Sequence, residues 1–180
     1  MVRIEGVRST HGLSGPTLAT WQWENRPVRE PSGPQPEPSE MMRARVRDSF
    51  GRQAMMVTLG AELVSVEQGR VDLTMRRDPR LTQQHGFLHA GAAAAVLDSA
   101  CGYAALTVMP PEAGVLTATY TINLMAPADG ERFTLTGTVV KGGRTLVVCR
   151  GEAFQDDAVV PFAVMQATMT AVTGRPGLSG

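Results

Sequence analysis

The stretch from Ala90 to Met109 constrains the fold most. It reads AGAAAAVLDSACGYAALTVM, carries one charge at Asp98, and is stopped by Pro110-Pro111. A helix over about His89 to Val108 would be apolar on every side, so nearly all of it must be covered. A bilayer could cover it, but Asp98, Ser99, Gly102 and the many alanines make insertion costly, and basic flanks are missing. The pattern therefore predicts a buried helix of a protein that is not in a membrane.

Short, turn-bounded runs surround that helix. AELVSVE and RVDLTMR alternate apolar and polar residues on either side of Gln68-Gly69, which predicts a hairpin. RDPRLTQQHGFLH then reads as irregular. After the helix come GVLTATYTINLMA, ERFTLTGTVVK, RTLVVCRGEAFQ and VVPFAVMQATMTAV, punctuated by Pro127-Ala128-Asp129-Gly130, Gly142-Gly143 and Asp156-Asp157. Ahead of all these, MMRARVRDSFGRQAMMVTL predicts one N-terminal helix, capped by Ser39 and ended by Gly60. Short right-handed parallel crossovers cannot join so many consecutive strands, which disfavours a Rossmann-like fold. The expectation is an α+β fold, a curved antiparallel sheet wrapped around one long central helix, with strands paired in chain order.

At 180 residues and 43% hydrophobic content the chain can bury one core. Seventeen basic residues balance seventeen acidic ones, so net charge offers no footprint for nucleic acid or an anionic membrane. Any anionic ligand must be held locally. Cys101 and Cys149 make neither a disulfide framework nor a metal-binding CxxC, and no metal site is expected. The opening MVRIEGVRST lacks the basic-then-apolar order of a signal peptide, so a reducing cytoplasm is expected. Residues 1–40, with Pro27, Pro31, Pro34, Pro36 and Pro38 and the anchors Trp21 and Trp23, are expected to form a disordered or extended tail. The folded domain should span 41–172, with 173–180 a flexible tail and Met41 a candidate natural start.

Asp98 requires a physical account, because an ionised carboxylate in an apolar helix is costly unless it meets water, a donor or a ligand. At about 100° per residue, Gly91, Ala94, Ala95, Cys101, Gly102 and Ala105 fall on its side of the helix, and all are small. They leave room for a ligand or for another backbone. Pattern alone leaves two readings open: a structural pairing with a basic or hydroxyl group, or a reacting carboxylate. His89 precedes Asp98 by nine residues, half a turn out of phase, so the two cannot form a dyad within one helix. Cooperation would need a second subunit; otherwise His89 and His85 serve as capping or loop residues. The helix start at His89-Ala90-Gly91 offers free N–H groups and the positive end of a dipole, a natural oxyanion site, and Gly86 and Gly91 let backbone approach a ligand.

The runs LTQQHGFLHAGAAAAVLDSACGYAAL, LTATYTINLMAPADG and GTVVKGGRTLVVCRGEAF resemble the hotdog-fold acyl-CoA thioesterases related to the phenylacetate-pathway (PaaI-like) enzyme, over about residues 41–171. The features that match in order are the G-x-x-H-[GA]-G turn of Gly86–Gly91, an acid nine residues after the histidine, a hydroxyl residue near the next strand's start, and a proline loop before Gly130. The resemblance implies hydrolysis of an acyl-CoA thioester at a homodimer interface, in dimers or tetramers, without a cofactor beyond the coenzyme A of the substrate. It implies Asp98 as nucleophile or water-activating base, Thr117 placing the water, the Ala90 N–H polarising the thioester carbonyl, and His89 orienting that turn. Gln83 stands where many members carry a substrate-contacting asparagine, and Gly142, Gly143 and Arg144 where the coenzyme A arm approaches. The common HGG is here His-Ala-Gly, which keeps the backbone donor but adds a methyl group. A medium-chain or aromatic acyl group is expected. Two alternatives share these residues: a non-catalytic acyl-CoA binding or sensing module, and an enoyl-CoA hydratase.

Overall fold

The computed structural model describes residues 40–174. Ser39, the tail that holds Trp21 and Trp23, and residues 175–180 lie outside them. The elements are α1 (Glu40–Gly51), α2 (Ala54–Leu59), β1 (Glu62–Glu67), β2 (Arg70–Arg76), α3 (Ala90–Leu106), β3 (Gly114–Leu124), β4 (Arg132–Gly142), β5 (Leu146–Gln155) and β6 (Ala163–Val172). They form an α+β fold in which a six-stranded antiparallel sheet curves around α3, the arrangement the resemblance implied.

α3 is covered because the sheet comes unusually close to it. Gly137 and Gly151 stand side by side on β4 and β5. A Cβ at Gly137 would lie 2.3 Å from the carbonyl carbon of Ala100, and one at Gly151 would lie 3.1 Å from Cys101 Sγ. Only glycine leaves this trough open, and the alanine-rich helix fits into it. Val96, Leu97, Ala100 and Ala104 are wholly buried against Leu73, Phe133, Leu135, Met165 and Met169 from the sheet. Full burial of each of the larger side chains stabilises by about 1.5–3 kcal/mol.

Two expectations are corrected. The single N-terminal helix is broken at Arg52-Gln53: Gln53 is extended (φ −83°, ψ 93°) and starts α2 without a side-chain cap. Gly51 ends α1 poorly disposed to continue it, and the Gln53 side chain is drawn away to Ser99 of α3, whose hydroxyl donates to its Oε1 at 3.1 Å. Strands also do not pair in chain order. The sheet runs β1-β2-β4-β5-β6-β3, so β3 sits at the edge beside β6 and neighbours neither β2 nor β4. The reason is geometric: α3 must cross the concave face between β2 and β3, and it delivers the chain to the opposite edge.

The β1–β2 hairpin forms as expected, with Gly69 in the left-handed region (φ 79°). Arg45 ties α1 to the far end of α3, its guanidinium donating to the carbonyls of Leu106 and Ala113. A cation there complements the negative end of the helix, and it holds α1 above the face that carries Asp98.

Candidate active site

The site is built on α3 from two places. At its start, His89 is the N-cap (φ −64°, ψ 133°), and its Nδ1 accepts the Gly91 N–H at 2.9 Å. Nδ1 is therefore unprotonated and the ring proton sits on Nε2. The His89 N–H donates to Leu81 O at 2.8 Å, and the Leu88 N–H to Ala128 O at 2.8 Å. Arg77 spans the same region, donating to the carbonyls of Asp129 and Gly86, with Gly86 at φ 85°. The turn is thus held by backbone bonds on both sides. The first helical amide, Ala90 N–H, has no acceptor among the described residues, as expected of an N1 position. It opens on an apolar recess of about 220 Å³, with Gln83, Phe87, Leu124 and Phe162 around it. The Gln83 carboxamide accepts from the His85 N–H, which fixes the loop rather than leaving its oxygen free.

Two turns along, Asp98 is half-buried and accepts a hydrogen bond from Thr117 Oγ1 at 2.8 Å. Burial pushes its carboxyl pKa above the ordinary carboxylate value, and the Thr117 hydrogen bond opposes that rise. Thr117 reaches Asp98 because β3 carries a bulge. Thr117 pairs with Met169 and Thr119 with Thr168, so Ala118 is an extra residue. Beyond it Tyr120, Ile122 and Leu124 lie beside the buried Ala167, Met165 and Ala163, on the same side of the sheet as Thr117. Without the bulge, Thr117 and those residues would face opposite ways.

A cleft of about 460 Å³ opens at Asp98 and Thr117, lined further by Ser49, Gln53, Gly102 and Tyr103. The Tyr103 ring meets Phe50 edge-on at 5.8 Å. Sequence reasoning passed over Gln53 and Ser99, whose mutual bond roofs this cleft; the only local hint was Gly51 inside an otherwise helical run.

The geometry brings Thr117 to Asp98, and Gln83 to Ala90, but keeps the two pairs apart. Eight residues of helix separate Ala90 from Asp98, about 12 Å along the axis. No carbonyl can touch both within one chain. Gly142, Gly143 and Arg144 form the exposed β4–β5 turn, and Gly142 faces Val108 past the end of α3, away from both pairs. Among the described residues no group of three or more His, Cys, Asp or Glu side chains is placed to hold a metal ion, and no helix is long and apolar enough to cross a membrane.

Residues 85–162 match the family model described as the thioesterase superfamily. A thioesterase family protein from Silicibacter pomeroyi of known structure is 51% identical, with a TM-score of 0.71, over 74% of this chain and 99% of that one. The PaaI protein from the phenylacetic acid degradation operon of E. coli shares the fold at 19% identity and a TM-score of 0.70, over 76% of this chain and 97% of that one. A Haemophilus influenzae thioesterase shares it at 19% identity and a TM-score of 0.65, over 71% and 88%.

Proposed function

Because this chain belongs to the thioesterase superfamily and is a thioester hydrolase, we propose that it cleaves acyl-CoA at a site shared by two subunits, with Asp98 from one and the Ala90 N–H from the other. The observation that carries this reading is the 12 Å gap, about eight residues of α-helix, between the free amide at the start of α3 and the carboxylate. A second copy closes the gap.

β3 supplies the means. It is an eleven-residue edge strand with Leu116, Tyr120 and Leu124 exposed, followed by exposed Met125. An unpaired apolar edge of that length invites pairing with its own copy. In an antiparallel pair centred on Tyr120-Thr121, Thr117 of one subunit stands across from Leu124 of the other. Thr117 marks the Asp98 cleft and Leu124 the Ala90 recess, so the two-fold axis brings the halves together twice.

In the joined site, the Ala90 N–H at the positive end of α3 donates to the thioester oxygen and stabilises the charge that develops on it. Asp98, with a raised proton affinity, takes the proton of an attacking water, or attacks the carbonyl itself to form an anhydride that a water then hydrolyses; both routes consume one water and end with the C–S bond broken, a proton on the thiolate and a free acid. Thr117 holds the carboxylate in place, His89 holds the amide, and Gln83 lines the recess beside it. Gly91 and Gly86 keep the turn slim where the substrate enters. Gly142, Gly143 and Arg144, exposed on a turn, would meet the coenzyme A arm outside the cleft. No cofactor is needed beyond the coenzyme A the substrate carries. A medium-chain or aromatic acyl group suits the Asp98 cleft, since a cavity of about 150 Å³ already holds benzene. Buried, unoxidised Cys101 and Cys149 suit a reducing cytoplasm. Further pairing of dimers into a tetramer would use the remaining sheet surface.

The test uses two inactive partners. Asp98→Asn and Ala90→Pro chains, each alone, should release little thiol from a panel of acyl-CoA esters. Denatured together and refolded, they form mixed dimers in which one of two sites is intact, and about a quarter of wild-type activity should return. No recovery, with mixed dimers demonstrated by mass, sinks the shared site.

A further inference from the structure

Gly102 lies one turn beyond Asp98, is buried, and lines the same cleft as Asp98, Thr117 and Tyr103. A Cβ built on it would meet no heavy atom within 4 Å beyond its own stretch of helix. That separates it from Gly137, where a Cβ would run into the α3 backbone. Nothing in the packing of the subunit demands glycine at 102. Its helical neighbours Ala100, Ala104 and Ala105 show what the helix uses where a small residue suffices. Alanine would favour the helix, because glycine loses more backbone freedom on folding and contributes no side chain. The helix thus forgoes stability at one position, and what it gains is empty space directly beside the carboxylate.

We propose that Gly102 is a specificity-determining residue: the space left by its missing side chain receives the acyl group beyond its first carbons, and its size sets how bulky that group can be. Tyr103 and Val115 bound the same space, and the Gln53–Ser99 bond closes it above. A methyl group at 102 would shorten the cleft where a chain or ring passes Asp98, while a two-carbon acyl group would stop short of it. This assignment rests on Asp98 being the reacting carboxylate.

The experiment compares full-length wild type, Gly102→Ala and Gly102→Val on acetyl-, hexanoyl- and benzoyl-CoA by thiol release, with the unfolding midpoint and the sedimentation of each. The kcat/KM ratios of hexanoyl and benzoyl over acetyl should fall roughly 10-fold in Gly102→Ala and further in Gly102→Val. The midpoint of Gly102→Ala should rise by about 2–4 °C. Unchanged ratios, with wild-type enzyme active on the series, overturn the role of Gly102 and leave the thioesterase reading standing. A lowered midpoint in Gly102→Ala, or dimers that fall apart in Gly102→Val while Gly102→Ala keeps its ratios, would show the space filled by protein and also overturn it. Wild-type protein that cleaves none of the esters defeats both readings.

Discussion

The start of α3 and its middle solve the same problem, fixing one polar group in an apolar setting, by different means. At the start, the donors held are all main-chain N–H groups: those of Leu88 and His89 go to carbonyls, that of Gly91 to the His89 ring, and the free donor at Ala90 is itself main chain. In the middle, the Asp98 carboxylate is held by one side chain, Thr117, which reaches it only through a bulge. The first asks nothing of the side chain at position 90, so His-Ala-Gly keeps its donor. The second depends on the identity of each residue.

Three substitutions press on that contrast. The largest loss is expected from Asp98→Asn, which keeps the shape and removes the proposed base or nucleophile; turnover should drop by roughly 10²–10⁴-fold with the oligomeric state unchanged. Because burial raises the Asp98 pKa, the charged form opposes folding: whatever stability Asp98 contributes is present below its unfolded value and is lost as pH rises through the folded one. Asp98→Asn should therefore melt no lower than wild type at neutral pH, with the two converging in acid. A marked drop in melting temperature at neutral pH would mean the carboxylate is a structural partner.

Ala90→Pro follows. Proline suits the first helical position, and His89 at ψ 133° already has the backbone that a residue before proline prefers. The change deletes one N–H and little else, so kcat should fall about 10²–10³-fold with stability nearly unchanged. Near-wild-type kcat would remove the oxyanion role from this amide. Thr117→Val should have the smallest effect, on the order of 10-fold, and its signature is in the pH profile. In the proposed mechanism activity requires ionised Asp98, so it should rise with pH through the Asp98 pKa. Losing the Thr117 donor raises that pKa further and moves the acid limb to higher pH. An unmoved limb would separate Thr117 from the ionisation of Asp98.

Much of this was legible without a structure, and the reasons are local. A run of alanines ended by two prolines marks α3, Gln68-Gly69 marks a hairpin, and a histidine before Ala90-Gly91 marks a cap. The lone carboxylate of an apolar helix pointed to Asp98, and the half-turn offset of His89 already required a second subunit for the two to cooperate. Thr117 could be named only through the resemblance. The break at Arg52-Gln53, the bond between Gln53 and Ser99, and the extra residue at Ala118 all depend on partners far away in the chain, and no periodicity within a window reports them.

The sequence by itself determined which segments are helix or strand, apart from the break at Arg52-Gln53, which helix must be buried, and which carboxylate has to be accounted for, because propensity, capping and hydrophobic period act over a few residues. Tertiary structure alone decided that β3 lies at the edge, that a bulge turns Thr117 toward Asp98, that Gly137 has no room for a Cβ and Gly151 little, and that Gly102 has room to spare. Those outcomes depend on how closely the helix and sheet approach across the core, a distance that no stretch of sequence contains.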